Sequence, residues 1–138
     1  MYIIDTSVAV KWYIEEKDSQ EAIKILDDYK LGKFAIAIPD LLIYELANVF
    51  RFNSFFKPKE KRELIRSLYD LDLYIVTPYY SLVEKAQEIS ENYNLTIYDA
   101  IFVTLAKEMN CNLITADEKL YAKISDLSFV KLLSEMSL

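Results

Sequence analysis

Apolar residues along the chain fall into short unbroken runs that alternate with longer stretches of helical spacing. Tyr2-Ile3-Ile4 opens as a strand-like run stopped by Asp5-Thr6-Ser7, and a first helix is expected from about Val8 to Ile14. Asp18 is placed to cap a second helix, in which Ala22, Ile23, Ile25, Leu26 and Tyr29 recur at helical spacing. Gly32 follows where a left-handed residue closes a helix. Phe34 to Ile38 reads as a buried strand. Pro39-Asp40 opens a helix that runs to about Phe52, and Pro58 opens another. Leu73 to Val76 is a third strand, Leu82 to Tyr93 a helix, and Thr96 caps a helix over Ile97 to Met109. Asn112 to Thr115 forms a fourth strand, Glu118 to Ile124 a short helix, and Phe129 to Leu132 a fifth strand.

Continuous apolar strands alternating with helices predict an α/β fold: a parallel sheet of four to five strands with helices on both faces. In such sheets ligands bind beyond the carboxyl ends of the strands, where strand order reverses. The residues that follow each strand therefore carry the chemistry. The 138 residues fit one domain over 1–138.

Composition narrows that chemistry. The chain has no His, one Cys (Cys111) and one Gly (Gly32). This excludes a histidine base, a Cys/His zinc site, an internal disulfide and the glycine-rich phosphate loops. The longest charge-free run, Leu73 to Val83, is eleven residues and contains Pro78. A spanning helix needs about 20 apolar residues, so the expectation is a cytoplasmic protein with no membrane partner. A net charge of −6 gives no general attraction for nucleic acid, so such a partner needs a local patch or a cation.

Four carboxylates stand out. Asp5 directly follows the first strand, and Asp117 follows the fourth after Thr115-Ala116. Glu45 and Asp99 sit in apolar helical stretches, Leu41 to Ala47 and Ile97 to Val103, where unpaired charge is costly. Taken singly, Asp5 and Asp117 also suit helix caps, Asp99 a capping box with Thr96, and Glu45 an ion pair at the core edge. Taken together, clustered acids repel one another unless a cation sits among them. An oxygen-only ligand set selects a hard ion, Mg²⁺ or Mn²⁺. Such an ion polarises a phosphoryl oxygen and acidifies water, which points to a phosphodiester substrate.

Four segments resemble PIN domains: Ile4-Asp5-Thr6-Ser7, Pro39-Asp40-Leu41-Leu42-Ile43-Tyr44-Glu45-Leu46-Ala47, Tyr98-Asp99-Ala100 and Ile114-Thr115-Ala116-Asp117-Glu118-Lys119-Leu120. They occur in that family's order and span nearly the whole chain, at the size of a VapC-type toxin. The resemblance implies a three-layer fold with strand order 3-2-1-4-5, which sets strands one and four side by side. It implies an endoribonuclease in which Asp5, Glu45, Asp99 and Asp117 are both catalytic and metal-binding, leaving 5′-phosphate and 3′-hydroxyl ends. Thr6 and Thr115 match hydroxyl positions beside the acids, where contact with water on the metal or with a phosphate is implied. Such toxins form homodimers and are silenced by an antitoxin protein.

From Arg51 to Arg66 the chain carries Arg51, Lys57, Lys59, Lys61, Arg62 and Arg66 against Glu60 and Glu63, with Phe50, Phe52, Phe55 and Phe56 interleaved. Arg51, Lys57, Lys59 and Arg62 are candidates for RNA or partner contact, with the aromatics as stacking platforms. Alternatively, the phenylalanines are core and the charges a solvated face. In VapC toxins the equivalent helical pair helps take up the antitoxin. Trp12 and Tyr13 could line the same groove or serve packing. Two other functions share the pattern: a PIN-like scaffold that binds without cutting, and a receiver-type phosphoacceptor. The receiver reading expects an acid pair after the first strand and a late Lys-Pro; here Asp5 stands alone and Lys57-Pro58 lies mid-chain.

Overall fold

The computed structural model describes residues 1–136; Ser137 and Leu138, the end of the expected domain, lie outside the described residues. Five strands form one parallel sheet: β1 (Tyr2–Ile4), β2 (Ile36–Pro39), β3 (Tyr74–Val76), β4 (Asn112–Thr115) and β5 (Val130–Leu132). Their order is β3-β2-β1-β4-β5. Seven α-helices connect them: α1 (Thr6–Ala9), α2 (Ser19–Lys30), α3 (Leu41–Phe52), α4 (Pro58–Asp70), α5 (Tyr80–Tyr93), α6 (Ile97–Glu108) and α7 (Glu118–Ile124). Short 3₁₀ turns cover Val10–Trp12 and Leu133–Glu135.

The chain moves outward from β1 through β2 to β3, then crosses back to β4 and on to β5. Right-handed crossovers then put α1–α4 on one face and α5–α7 on the other. The two halves diverge at β1 and β4, whose register pairs Ile4 with Ile114. Ile3, Ile4, Ala37, Ile38, Leu113 and Ile114 are fully or almost fully buried, as expected of strands covered on both sides. Phe50 and Leu46 from α3, and Phe102, Val103 and Leu105 from α6, complete the packing.

Several boundaries differ from expectation. The first helix begins at Thr6, two residues early, because the Asp5 carbonyl already accepts the Val8 and Ala9 N–H groups, both at 3.2 Å. It tightens into the 3₁₀ turn and stops at Trp12, whose Nε1–H donates to the Ala22 carbonyl at 2.9 Å. β2 starts at Ile36 because Phe34 turns aside to meet Tyr2 edge-on, with ring centroids 4.9 Å apart. Asp18 stands before α2 with φ +64° and forms no side-chain cap. Buried Ser19 takes over there, accepting from the Glu16 N–H and donating to the Ile14 carbonyl. Gly32 has φ +77°, the conformation that favours glycine just past a helix end. Thr96 caps α6 as expected, its hydroxyl accepting from the Asp99 N–H at 3.1 Å.

Candidate active site

Asp5 lies at the β1–β4 divide and is only 6% exposed. Its side chain does not cap α1. Both carboxylate oxygens are instead held by hydroxyls: Ser7 donates to Oδ1 and Thr115 to Oδ2. Thr115 is fully buried, so its hydroxyl serves Asp5 and not the solvent. Those hydroxyls are fixed in turn by the β4–α7 turn. The Ala116 N–H donates to Ser7 Oγ at 2.8 Å and the Asp117 N–H to Thr115 Oγ1 at 3.1 Å. Burial pushes the Asp5 carboxyl up to about 6, against the pull of the Ser7, Thr115 and Val8 donors, and the nearby Asp117 charge adds to the rise. Among the described residues Asp5 has no cationic partner.

The other three acids continue from it. Glu45, half-buried in the middle of α3, accepts from the Thr6 hydroxyl at 2.6 Å and forms no ion pair among the described residues. Burial raises its carboxyl above the usual range, and the Asp99 charge raises it further. Asp99, one turn into α6, is raised by burial and then by Asp117, with Lys123 pulling the other way. Asp117 caps α7: its Oδ1 accepts from the Lys119 and Leu120 N–H groups, each at 3.0 Å. Its cap role and its membership of the cluster coexist, because Oδ2 takes no hydrogen bond among the described residues. Each acid therefore feels the next, Glu45 to Asp99 to Asp117 to Asp5.

Like charges gathered at a sheet edge, one of them buried with no counter-charge, fit a cation. Among the described residues no three acidic, Cys or His groups converge closely enough to cage an ion unaided. The fit is to a hard, hydrated ion. Mg²⁺ is held through one or two carboxylates and retains several waters. Asp5 and Asp117, whose charge Asp5 feels, would supply such carboxylates, with water completing the shell.

A family model for the PIN domain matches residues 2–126. The chain belongs to the PIN domain family. Solved structures align with this PIN domain over most of its length. A toxin-antitoxin complex from Klebsiella pneumoniae is 16% identical, covering 99% of this chain and 100% of that one, with a TM-score of 0.74. FitAcB from Neisseria gonorrhoeae is 16% identical, covering 99% and 100%, with a TM-score of 0.72. VapC20 of Mycobacterium tuberculosis, a sarcin-ricin loop cleaving toxin, is 10% identical, covering 88% and 94%, with a TM-score of 0.68. At these identities the likeness is one of fold. No curated protein matches in sequence.

In this PIN domain the basic segment divides. Phe50 is fully buried and meets Tyr13 and Phe56 edge-on, at 5.3 and 6.4 Å between centroids. Phe52 and Phe55 are 73% and 86% exposed, so the core reading fails for them. The Arg51 guanidinium lies over the Phe52 ring, 4.9 Å from its centroid. Lys57, Lys59 and Arg62 are exposed, and none of them nor Arg51 forms an ion pair among the described residues. Trp12 and Tyr13 are partly buried packing residues. No helix among the described residues is long and apolar enough to cross a membrane.

Sequence reasoning passed over Ser7, Lys119 and Lys123. Ser7 stands inside the Asp5-Thr6-Ser7 segment and shares the holding of Asp5 with Thr115. Lys119 and Lys123, spaced i,i+4 on α7, border the same cleft as Asp99 and Asp117.

Proposed function

We propose that this PIN domain is a Mg²⁺- or Mn²⁺-dependent endoribonuclease, the toxin of a toxin–antitoxin pair acting in the cytoplasm. The observation that carries the reading is the coupled row Asp5, Asp117, Asp99 and Glu45, with Asp5 buried and without a cation. These four are the catalytic and metal-binding residues. When bound, the ion supplies a polarised phosphoryl group and an acidified water. The chain's own residues prepare the site. Ser7 and Thr115 orient both oxygens of Asp5, Thr6 orients Glu45, and the Lys119 and Leu120 N–H groups orient Asp117. Water oxygen joins phosphorus as the bond to the 3′ oxygen breaks. The 3′ oxygen leaves with a proton, giving 3′-hydroxyl and 5′-phosphate ends.

Arg51, Lys57, Lys59 and Arg62, with exposed Phe52 and Phe55, form the surface for RNA or the antitoxin. Tyr44, Tyr80 and Tyr98 are also exposed and offer apolar area to the antitoxin or a second copy in a homodimer. The structures of antitoxin complexes among the fold neighbours support the antitoxin as partner. A receiver-type phosphoacceptor has sheet order 2-1-3-4-5, unlike the order found here. A binding scaffold has no use for acids held in mutual repulsion.

The test is cleavage of total cellular RNA with Mn²⁺, beside a chelator control and Asp99→Asn. Discrete cuts bearing 5′-phosphates, lost in both controls, are expected. Cuts that persist in the variant refute the site assignment.

A further inference from the structure

We propose that Lys119 and Lys123 hold a phosphate of the RNA strand beside the one that is cut. This rests on the nuclease reading. The two lysines border an open cleft of ≈ 340 Å³ that also exposes Asp99 and Asp117. Their i,i+4 spacing on α7 puts both on one stripe of the helix. The base of that stripe is fixed, because the Lys119 N–H is bound by Asp117. The Lys123 ammonium is fixed at its tip: Nζ donates to the Asn94 carbonyl at 3.0 Å, spanning from α7 to the α5–α6 turn. From there its charge reaches Asp99.

The surroundings leave both cations available. Glu118, between them and Asp117 in sequence, turns away to Lys17 at 3.2 Å. Among the described residues neither Lys119 nor Lys123 forms an ion pair, although two carboxylates share their cleft. An RNA strand approaching an acidic protein of net charge −6 needs local positive charge close to the acids. Ammonium groups suit this task as point charges for phosphate. The cleft thus has one wall for the cation-dependent step and another for the neighbouring phosphate.

The experiment is fluorescence anisotropy of a labelled single-stranded RNA in EDTA, from 50 to 200 mM NaCl. Each phosphate contact on a single strand contributes about 0.7 to the slope of log affinity against log salt. Lys119→Gln/Lys123→Gln removes the one contact and should therefore flatten the slope by about 0.7, so that wild type loses about 2.6-fold more affinity across the range. Lys30→Gln/Lys131→Gln removes the same charge elsewhere and should leave the slope unchanged. Lys119→Gln/Lys123→Arg should recover about half the difference. Lys119→Gln alone removes no contact seen in the fold and guards against misfolding of the pair; it should give about half the effect. A slope equal to wild type in the double variant, or an equal loss in the control pair, overturns the proposal. Wild-type protein that cuts this RNA with Mn²⁺ while the double variant keeps its slope sinks the lysine assignment alone. Wild-type protein that neither binds nor cuts sinks the nuclease reading with it.

Discussion

The Thr115 hydroxyl donates to Asp5 Oδ2 across 110 positions of sequence. The parallel register of β1 and β4 brings them together, since Ile4 already faces Ile114 and each side chain is the next along. Thr115→Val keeps the shape and removes the donor. It also strips the Asp117 N–H of its acceptor. A buried carboxylate and a part-buried N–H each lose a partner, so a destabilisation of about 1–3 kcal/mol is expected. Urea denaturation in chelator measures it, and an unchanged midpoint would show that the bond carries no stability.

Asp5 makes stability depend on pH in an unusual direction. Its carboxyl is raised from 3.8 to about 6 by burial. Between those values the folded protein holds a proton that the unfolded chain has released. The contribution of Asp5 is therefore most favourable below pH 3.8 and is lost as pH rises through 6. Two units correspond to about 3 kcal/mol. Asp5→Asn in chelator at pH 7 should raise the melting temperature by several degrees and flatten this decline. Glu45 and Asp99, raised in the same direction, leave a smaller slope of the same sign. A variant that melts lower would identify Asp5 as a structural anchor.

Divalent cation should reverse that penalty. Adding Mn²⁺ at about 100 times its Kd is expected to stabilise the fold by about 2.7 kcal/mol. The gain should be larger at pH 7 than at pH 5, because protons compete for the same carboxylates. It should vanish in Asp5→Asn. Calorimetric titration and thermal melts both report it, and equal shifts in wild type and variant would place the ion elsewhere.

The exposed aromatics separate binding from folding. Phe52 carries only the Arg51 guanidinium and Phe55 meets half-buried Phe56 edge-on at 5.4 Å, so Phe52→Ala/Phe55→Ala should lower stability by only about 1 kcal/mol. Stacking of one base is worth about 1–3 kcal/mol, so RNA affinity should fall about fivefold or more. Anisotropy with a labelled single-stranded RNA reads the outcome, and an unchanged affinity would show that these rings do not stack on RNA.

The strands, with Asp5 and Asp117 just beyond two of them, were legible because parallel strands are continuous apolar runs whose ends are marked by polar residues; Glu45 and Asp99 stood out only as charges inside apolar helical stretches. The opening at Asp5 shows this well. Gly32 was legible for a different reason, since a lone glycine past a helical stripe has few other uses. Asp18 was misread: an acid before a helix resembles a cap, yet its left-handed backbone passes the bonding to Ser19. Ser7 and Lys123 were hidden because the groups that fix them, the Ala116 N–H and the Asn94 carbonyl, are distant in sequence and adjacent only after folding. The phenylalanines could be sorted only with the helix in place. Phe50 and Phe52 are two residues apart on α3, about 200° around its axis, so one enters the core and the other meets solvent.

The sheet's two borders are poorly suited to strand addition. β3 has three residues, preceded by Asp72 with φ +55° and followed two residues on by Pro78, which lacks an N–H to continue a ladder. β5 is equally short, carries exposed Lys131 at its centre and runs straight into a 3₁₀ turn. Short edges bearing charge or proline resist fibril-like growth from one molecule to the next. Copies of the chain are therefore poorly placed to join edge to edge, and contact between them is left to the helical faces.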